Sequence, residues 1–494
     1  MRKLTSILAF LFIQNLMQAQ STFFRIYESQ EYNTMYSVAE TAEHDFILCG
    51  FRETIPGSSF TNAQLLKING IGDIIQQRDL ESEMYLSTFA TVRKTISSAD
   101  DFFLMGRKDS VEQNVVSHLF KLWRMDSNLN FTDEYSLNFS DSLIVIPQQY
   151  INLNDSLIYF LSGIIRPPST RIDFSVTKLN LSDGTYRMFS SSWYTSRVAS
   201  NIIFDTIGQQ LKVLIAGAAT KSNGIIRILT FDMDLNYISD FEPDFVFGGL
   251  TCRMANYSDD SYILLVNDSR VSGETCLSNI RYSYENVFQN KTDVYCSADT
   301  LTYPGSGNSM LKTDSIIWSI GIYNIDPSTF WQPTPTWIQV SRINADFELT
   351  DQYYYGGDGL YFPYDIISTS DGGMLIAGNY YNPNAIPLVQ QRDPFVLKLN
   401  SEGLIVNVDN PEQPISQEAI VLPNPGKEYL QVKLAIQHKT ARFQLFDTGG
   451  RQVLETDLSG DMQRVKTEQL PSGVYIYRIT GSNLVIGSGK WVKE

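Results

Sequence analysis

Seven times in this chain an apolar strand runs into a turn built on Asn, Asp or Ser and continues as a second strand. The instances are LLKINGIGDII, LWRMDSNLNF, VTKLNLSDGTY, ILTFDMDLNYI, NIRYSYENVF, VSRINADFEL and VLKLNSEGLIV. Their turn positions, Asn69, Asp126, Asn180, Asp232, Ser283, Asn344 and Asn400, are 51 to 61 residues apart. A repeat of that period constrains the fold strongly, because each unit is one supersecondary element that can bury its apolar faces only against its neighbours. Asn and Asp suit the turn because they tolerate tight geometry and bond their own backbone.

A second column keeps the same order. Each hairpin follows a strand that usually ends in glycine, at Gly50, Gly106, Gly163, Gly217, Gly321 and Gly378, with Val266 in the fifth unit. Glycine there marks a bend or a close backbone approach. A further strand precedes each of these, as in MYSVAET and YDIISTS. Four antiparallel strands per unit, repeated seven times, predict an all-β chain whose residues 22–408 form a seven-bladed β-propeller. Eight blades, or two smaller β domains, are the alternatives the pattern leaves open. The early strand TFFRIYES is expected to complete the last blade, whose own outer strand, LIVNVDN, is short. The segment TSDGGMLIAG with DPFVLKLNSEG, at residues 369–403, resembles the Asp-Gly-Gly propeller repeats of secreted bacterial proteins, a resemblance that implies a fold and no activity.

The two ends carry different information. Arg2 and Lys3 precede an apolar run from Leu4 to Ile13 with Ala19 beyond it, the plan of a secretory signal peptide over residues 1–19. Later segments lack the length and apolarity of a membrane helix, so no transmembrane segment is expected. After Val408 the polar, proline-punctuated DNPEQPISQEA reads as a linker, placed at 409–414. Residues 415–494 then show short alternating strands with turns between them, which predicts a small immunoglobulin-like β-sandwich.

That last stretch resembles the type A C-terminal sorting domain of the bacterial type IX secretion system. The matching residues are Pro423-Asn424-Pro425, then Leu430 and Val432, then Leu445-Phe446-Asp447 with Gly450-Arg451. Pro471, Gly473, Val474 and Tyr475 follow, and Gly489-Lys490-Trp491-Val492-Lys493 ends the chain. The resemblance implies export to the periplasm, recognition by the outer-membrane secretion machinery and its sortase, and release or attachment at the outer cell surface.

Chemistry is harder to find. The net charge of −16 without a concentrated basic stretch argues against nucleic acid as a partner. No Gly-x-Ser-x-Gly elbow or His-Glu-x-x-His helix occurs, so no catalytic residue is assigned, and neither a cofactor nor a metal is expected. Asp232-x-Asp234-x-Asn236 lacks the glycine and glutamate of a calcium loop and sits in the turn column. Thr369-x-Asp371-x-Gly373 is similar to a sialidase Asp box without its Thr-Trp, and Gly487-Ser488-Gly489-Lys490 lacks the rest of a phosphate loop.

Two aromatic loop stretches are the expected ligand-binding surface: Trp331 and Trp337, with Tyr353, Tyr354, Tyr355 and Tyr361, whose rings suit sugars or a protein partner. The bland alternative is packing between the sixth and seventh blades. Arg52, Arg107, Arg166, Lys221, Arg270 and Arg392 form a candidate basic ring on the same loops. Four cysteines allow three pairings, and Cys276 with Cys296 is favoured because both belong near one end of the fifth hairpin. The expected function is that of a secreted or cell-surface binding or adhesion module for a glycan or protein ligand. The alternative is an extracellular propeller hydrolase acting on glycan or peptide.

Overall fold

The computed structural model describes residues 21–494 apart from 30, 54–61, 81–86, 113–114, 138, 140–142, 167–171, 192–196, 221–222, 245–246, 270–272, 299, 315, 326–334, 383–391, 406–418, 436–437, 461 and 482–483. The leader at 1–19 and the linker at 409–414 lie outside the described residues. Among the described residues the chain is all-β, with no helix.

Seven antiparallel sheets follow one another from Phe23 to Leu399 in a propeller-like array. The first pairs Tyr32–Glu40, Phe46–Glu53, Asn62–Ile68 and Ile74–Leu80 in sequence order. The second to fifth repeat this, starting at Ser87–Lys94, Ile144–Asn154, Arg197–Asp205 and Phe247–Ser258. In the sixth, the first strand is split into Thr302–Pro304 and Met310–Thr313, both paired with Ile316–Tyr323. The seventh runs Leu360–Ser368, Met374–Tyr381, Arg392–Leu399 and takes Phe23–Ile26 as its outer strand, with Phe23 opposite Lys398.

Burial explains this order. Middle strands such as Phe46–Glu53 and Asn62–Ile68 are covered on both faces, whereas the outer Ile74–Leu80 is largely exposed. A strand buried on both faces needs a near-continuous apolar run instead of alternation. The cores lie between sheets: Ile47, Cys49 and Leu65 of the first pack on Phe102, Leu104 and Trp123 of the second. Leu375, Ala377 and Val396 of the seventh pack back on Met35, Leu48 and Leu66 of the first.

Both sequence columns have physical counterparts. At the turns, the Asp126 carboxylate accepts the N–H groups of Asn128 and Asn130 at 2.9 and 2.8 Å, and Asp232 does the same for Asp234 and Asn236. Asp232 Oδ2 also takes the Asn236 side-chain amide at 2.7 Å, so its carboxylate serves the turn. Beside Gly50, Gly106 and Gly378 the neighbouring first strand carries a bulge, between Met35 and Ser37, between Phe89 and Thr91, and between Pro363 and Asp365. A Cβ on Gly50 would stand 1.7 Å from the Thr34 carbonyl oxygen, and one on Gly378 2.3 Å from that of Phe362. The bulge pushes its carbonyl across the strand and leaves no room for a side chain. In the fifth sheet the irregularity falls instead between Phe247 and Cys252, where Val266 replaces glycine.

The C-terminal unit packs a three-stranded sheet, Ala419–Leu422, Tyr429–Leu434 and Met462–Lys466, on a four-stranded one. The latter orders Gln452–Ser459, Thr440–Asp447, Gly473–Gly481 and Leu484–Lys493. Leu430, Val432, Phe443, Leu445, Ile479 and Trp491 fill the space between. The strand Ala419–Leu422 is buried on both faces: Ala419 and Val421 enter this core, while Ile420 and Leu422 pack on Tyr295, Tyr323, Trp337 and Tyr354 of the fifth and sixth sheets. The unit is therefore seated on the array, with Lys433 Nζ 4.5 Å from the Tyr295 ring centre.

Candidate functional site

At or next to the irregularity in each first strand, which in the sixth sheet is the gap between Pro304 and Met310, a polar residue reaches across to the next sheet. Thr91 donates to the Gln148 carbonyl at 3.0 Å, Gln149 Oε1 accepts the Ile202 N–H at 3.0 Å, and Asn201 Oδ1 accepts the Met254 N–H at 3.0 Å. Arg253 Nε donates to Gly305 O at 3.2 Å, and Asn308 Nδ2 to Ile366 O at 2.9 Å. Asp365 Oδ2 then accepts the Val38 N–H at 3.0 Å and the Ser37 hydroxyl at 2.7 Å, while Ser37 Oγ lies 3.4 Å from Val92 O. These seven side chains form one belt that passes through every sheet and returns to the first.

Two cations sit in the belt and differ in their compensation. Arg93 Nη1 meets Asp365 at 2.9 Å. Arg253 is bonded to carbonyl oxygens, those of Cys252 at 2.9 Å, Gly305 and Ser306. Burial pulls its guanidinium down to about 10, so it stays charged at neutral pH. The thiols of Cys49 and Cys252, both fully buried, are pushed well up by the same desolvation and are inert. The belt's atoms hold the array together, and sequence reasoning missed it. Its residues recur at the same place in each unit, but their identities change from Ser to Thr, Gln, Asn, Arg and Asp, so no column of one residue type betrays them.

The aromatic residues expected at a ligand surface are interior. Trp337 is 6% exposed and Tyr353 7%, while Tyr354, Tyr355 and Tyr361 are at or near zero. Tyr353, Tyr355 and Tyr361 join the core between the sixth and seventh sheets, and Trp337 and Tyr354 join the cluster under Ile420 and Leu422. Gly356 and Gly357, with φ of +96° and +95°, turn the chain so that the Tyr361 and Trp337 rings lie directly over their backbone. Burial, with Asp358 accepting its hydroxyl at 2.6 Å, drives the Tyr361 pKa far up. These rings serve packing, and no stacking face is left for a ligand. Trp331 lies outside the described residues.

Three described members of the candidate basic ring are engaged locally. Arg52 is paired with Glu31 and Asp79 at 3.2 and 3.1 Å, Arg166 with Asp173 at 2.8 Å, and Arg392 stacks over the Tyr32 ring at 5.0 Å. Arg107 lies on the strand Asp101–Glu112, and Lys221 and Arg270 are outside the described residues. Cys276 and Cys296 face each other on paired strands and are joined, with an S–S distance of 2.10 Å. Asp293 lies beside that bridge, but both sulfurs are committed to it. A polar hollow of about 480 Å³ opens between the third and fourth sheets, lined by Asn154, Lys178, Tyr186, Arg187 and Asp234.

A serine–histidine contact lies between the seventh and first sheets. Ser370 Oγ lies 2.5 Å from His44 Nδ1 and donates to Glu40 Oε1 at 2.6 Å. The same His44 nitrogen faces Glu40 at 3.6 Å, so the acid does not orient the ring through its other nitrogen as a general base requires. The Ser370 N–H is itself bonded to Glu40 at 2.9 Å. The group closes the array at its turn face.

In the C-terminal unit, residues far apart in sequence meet in one clamp. Asn424 Nδ2 donates to Lys490 O at 2.7 Å and Asn424 Oδ1 accepts the Val492 N–H at 2.9 Å. Trp491 Nε1 donates to Pro423 O at 2.9 Å, and Gly426 N–H to Val492 O at 2.8 Å. Pro423 and Pro425 both follow cis peptide bonds. Asp447 accepts the N–H groups of Gly449 and Arg451 at 3.0 Å and pairs with Arg451 Nε at 3.0 Å, while Gly450 takes φ +79°. Pro471 accepts the Tyr475 hydroxyl at 2.7 Å beside Gly473, and Gly489 leaves space for the Tyr477 ring. Val474 and Lys490 point outward.

Residues 420–494 match the family described as the secretion system C-terminal sorting domain. No curated protein matches the chain. Among solved structures it is similar to a puromycin hydrolase, at 9% identity over 91% of this chain and 59% of that one, with a TM-score of 0.42. The chain thus spans 59% of that protein's length. An alpha-L-arabinofuranosidase from Fusarium graminearum is 7% identical over 66% of this chain and 98% of its own, at a TM-score of 0.40. The WD40 domain of SCAP from fission yeast is 9% identical over 78% and 99%, at 0.37.

Proposed function

We propose that this chain, whose residues 420–494 form a type IX secretion sorting domain, is an exported binding or adhesion module that works at the outer cell surface or in the medium. Its parts would be a leader at 1–19, a closed seven-bladed propeller over 22–408, a linker at 409–414 and an immunoglobulin-like sandwich at 415–494. The observation that carries the export reading is the family match, in which Pro423, Asn424, Trp491 and Val492 meet in one clamp. The propeller reading is supported by seven consecutive sheets, by the outer strand Phe23–Ile26 on the last of them, and by the belt that returns to Val38. An array whose belt side chains bond one sheet to the next leaves its loops and outer surfaces for recognition, the usual division of labour between scaffold and site.

Deleting residues 415–494 tests the export reading: the shortened protein should accumulate in the periplasm while the full chain reaches the surface or medium. Arrival of the shortened protein outside the cell would overturn it. Among the described residues the hydrolase alternative has the Ser370–His44 contact as its geometric support. The orientation of Glu40 speaks against it.

A further inference from the structure

The C-terminal sandwich has two outer faces, and only one is free. The three-stranded sheet turns Ile420 and Leu422 onto the fifth and sixth sheets of its own chain, where both are buried. On the far side, the strands Gly473–Gly481 and Leu484–Lys493 expose Val474 at 41% and Ile476 at 46%. Their cross-strand partners are Val492 and Lys490, and Phe446 stands opposite Ile476 on the other side. Val474 and Ile476, with the half-buried Phe446 and Val492 beside them on the flanking strands, make a continuous apolar patch, which a sheet face in water does not need for folding.

Charge divides the face in two. On the half formed by Thr440–Asp447 and Gln452–Ser459, Arg442 is balanced by Asp457 at 3.1 Å and Glu455 at 3.6 Å. On the other half Arg478, whose guanidinium lies 5.2 Å from the Phe446 ring centre, and Lys490 flank Val474 and Ile476, with no carboxylate opposite them in the register. Strand addition at the neighbouring edge is blocked at one end, because Asn424 and Gly426 already bond Lys490 and Val492. At that end the face, and not the edge, is what a partner can reach.

We infer that the outer face centred on Val474 and Ile476, with Arg478 and Lys490 beside it, is the surface by which the outer-membrane secretion machinery takes hold of this chain. The partner surface is a protein one, apolar at its centre and acidic at its rim. The inference rests on the export reading and names the partner-facing side of that domain.

The test uses the full chain in its native bacterium. Val474→Asp with Ile476→Asp should cut the exported fraction about tenfold or more, the loss expected when a central apolar anchor is replaced by a charge, and the protein should collect in the periplasm. Arg478→Glu with Lys490→Glu should also lower export. Ile238→Asp, at an equally exposed position (48%) on the fourth sheet, should be exported normally. If the Asp pair lowers the melting temperature of the sandwich, Val474→Thr with Ile476→Thr keeps the strand propensity and decides the matter. Native-level export of a folded pair variant overturns the inference. Export of the chain lacking 415–494 would instead overturn the sorting reading itself, so the two failures are distinct.

Discussion

Asp365 and Val38 are 327 residues apart in sequence, yet the Asp365 carboxylate accepts the Val38 N–H at 3.0 Å. The same carboxylate holds Arg93 and Ser37, so three sheets meet at one residue that is 1% exposed. Removing one member of a buried ion pair leaves the other charge uncompensated, which costs about 3–5 kcal/mol. Asp365→Ala should therefore lower the urea midpoint sharply, whereas Asp365→Asn, which still accepts the Val38 N–H, should lose less. Equal losses for the two variants would mean that the belt's hydrogen bond contributes nothing beyond the ion pair.

Asp393 gives the closure a pH dependence. Burial, assisted by Glu28 and opposed by the Ser29 N–H that its carboxylate accepts at 2.9 Å, raises its pKa from 3.8 to about 6. Because the folded value exceeds the unfolded one, the native state binds the extra proton between these limits. The group's contribution to stability is full below pH 3.8 and is lost as pH rises through 6. Asp393→Asn should accordingly stabilise the protein by about 1–2 kcal/mol at pH 7–8, an amount trimmed for nearby water, and by nothing near pH 4. Melting curves of both proteins across that range would show the lines converging at low pH; parallel lines would reject the assignment.

How much of this was legible follows from what each signal encodes. Asn69, Asp126 and Asp232 show in the sequence because one chemistry, a side-chain oxygen over backbone N–H groups, solves the same turn each time. Gly50 and Gly378 show because only glycine tolerates the carbonyl beside them. The belt does not, since Thr91, Asn201 and Arg253 reach the next strand with different groups. Trp337 and Tyr354 read equally well as a ligand platform or as packing, and what decided for packing was Ile420 and Leu422, from a strand more than sixty residues further along the chain. The AIVL run that supplies them is apolar at four consecutive positions, a mark of burial on both faces that alternation alone would not produce.

Ser370 separates the binding and hydrolase readings. With its hydroxyl donating to Glu40 and its N–H occupied, it lacks an oriented base and a free oxyanion donor. A fluorophosphonate probe should leave the protein unlabelled. Labelling that disappears in Ser370→Ala would establish a reactive serine and favour the hydrolase.

Cys276 and Cys296 close a loop with a sequence separation of 20 on the outer pair of strands of the fifth sheet. Peptide mapping of the exported protein without reductant should recover them linked, with Cys49 and Cys252 as free thiols. Replacing both by Ala should cost about 2–4 kcal/mol, the usual effect of a bridge over such a loop. Recovery of Cys276 and Cys296 as free thiols would dismiss the pairing.

Leu422 tests whether the sorting domain is seated on its cargo or merely tethered to it. Its side chain is 6% exposed and lies with Ile420 against Trp337 and Tyr323, while its strand neighbours Ala419 and Val421 face the sandwich core. Burial of a leucine at such a contact is worth about 1.5–3 kcal/mol, and a carboxylate placed there costs more. Leu422→Asp should thus release the docking contact and spare the core between the two sheets. Calorimetry of the full chain should then resolve a separate, earlier melting of residues 419–494 where the native protein melts cooperatively, and the fluorescence of Trp337 should become accessible to a neutral quencher. If Leu422→Asp melts as the native chain does, the Ile420–Leu422 face carries no docking energy and the domain is held by its linker alone.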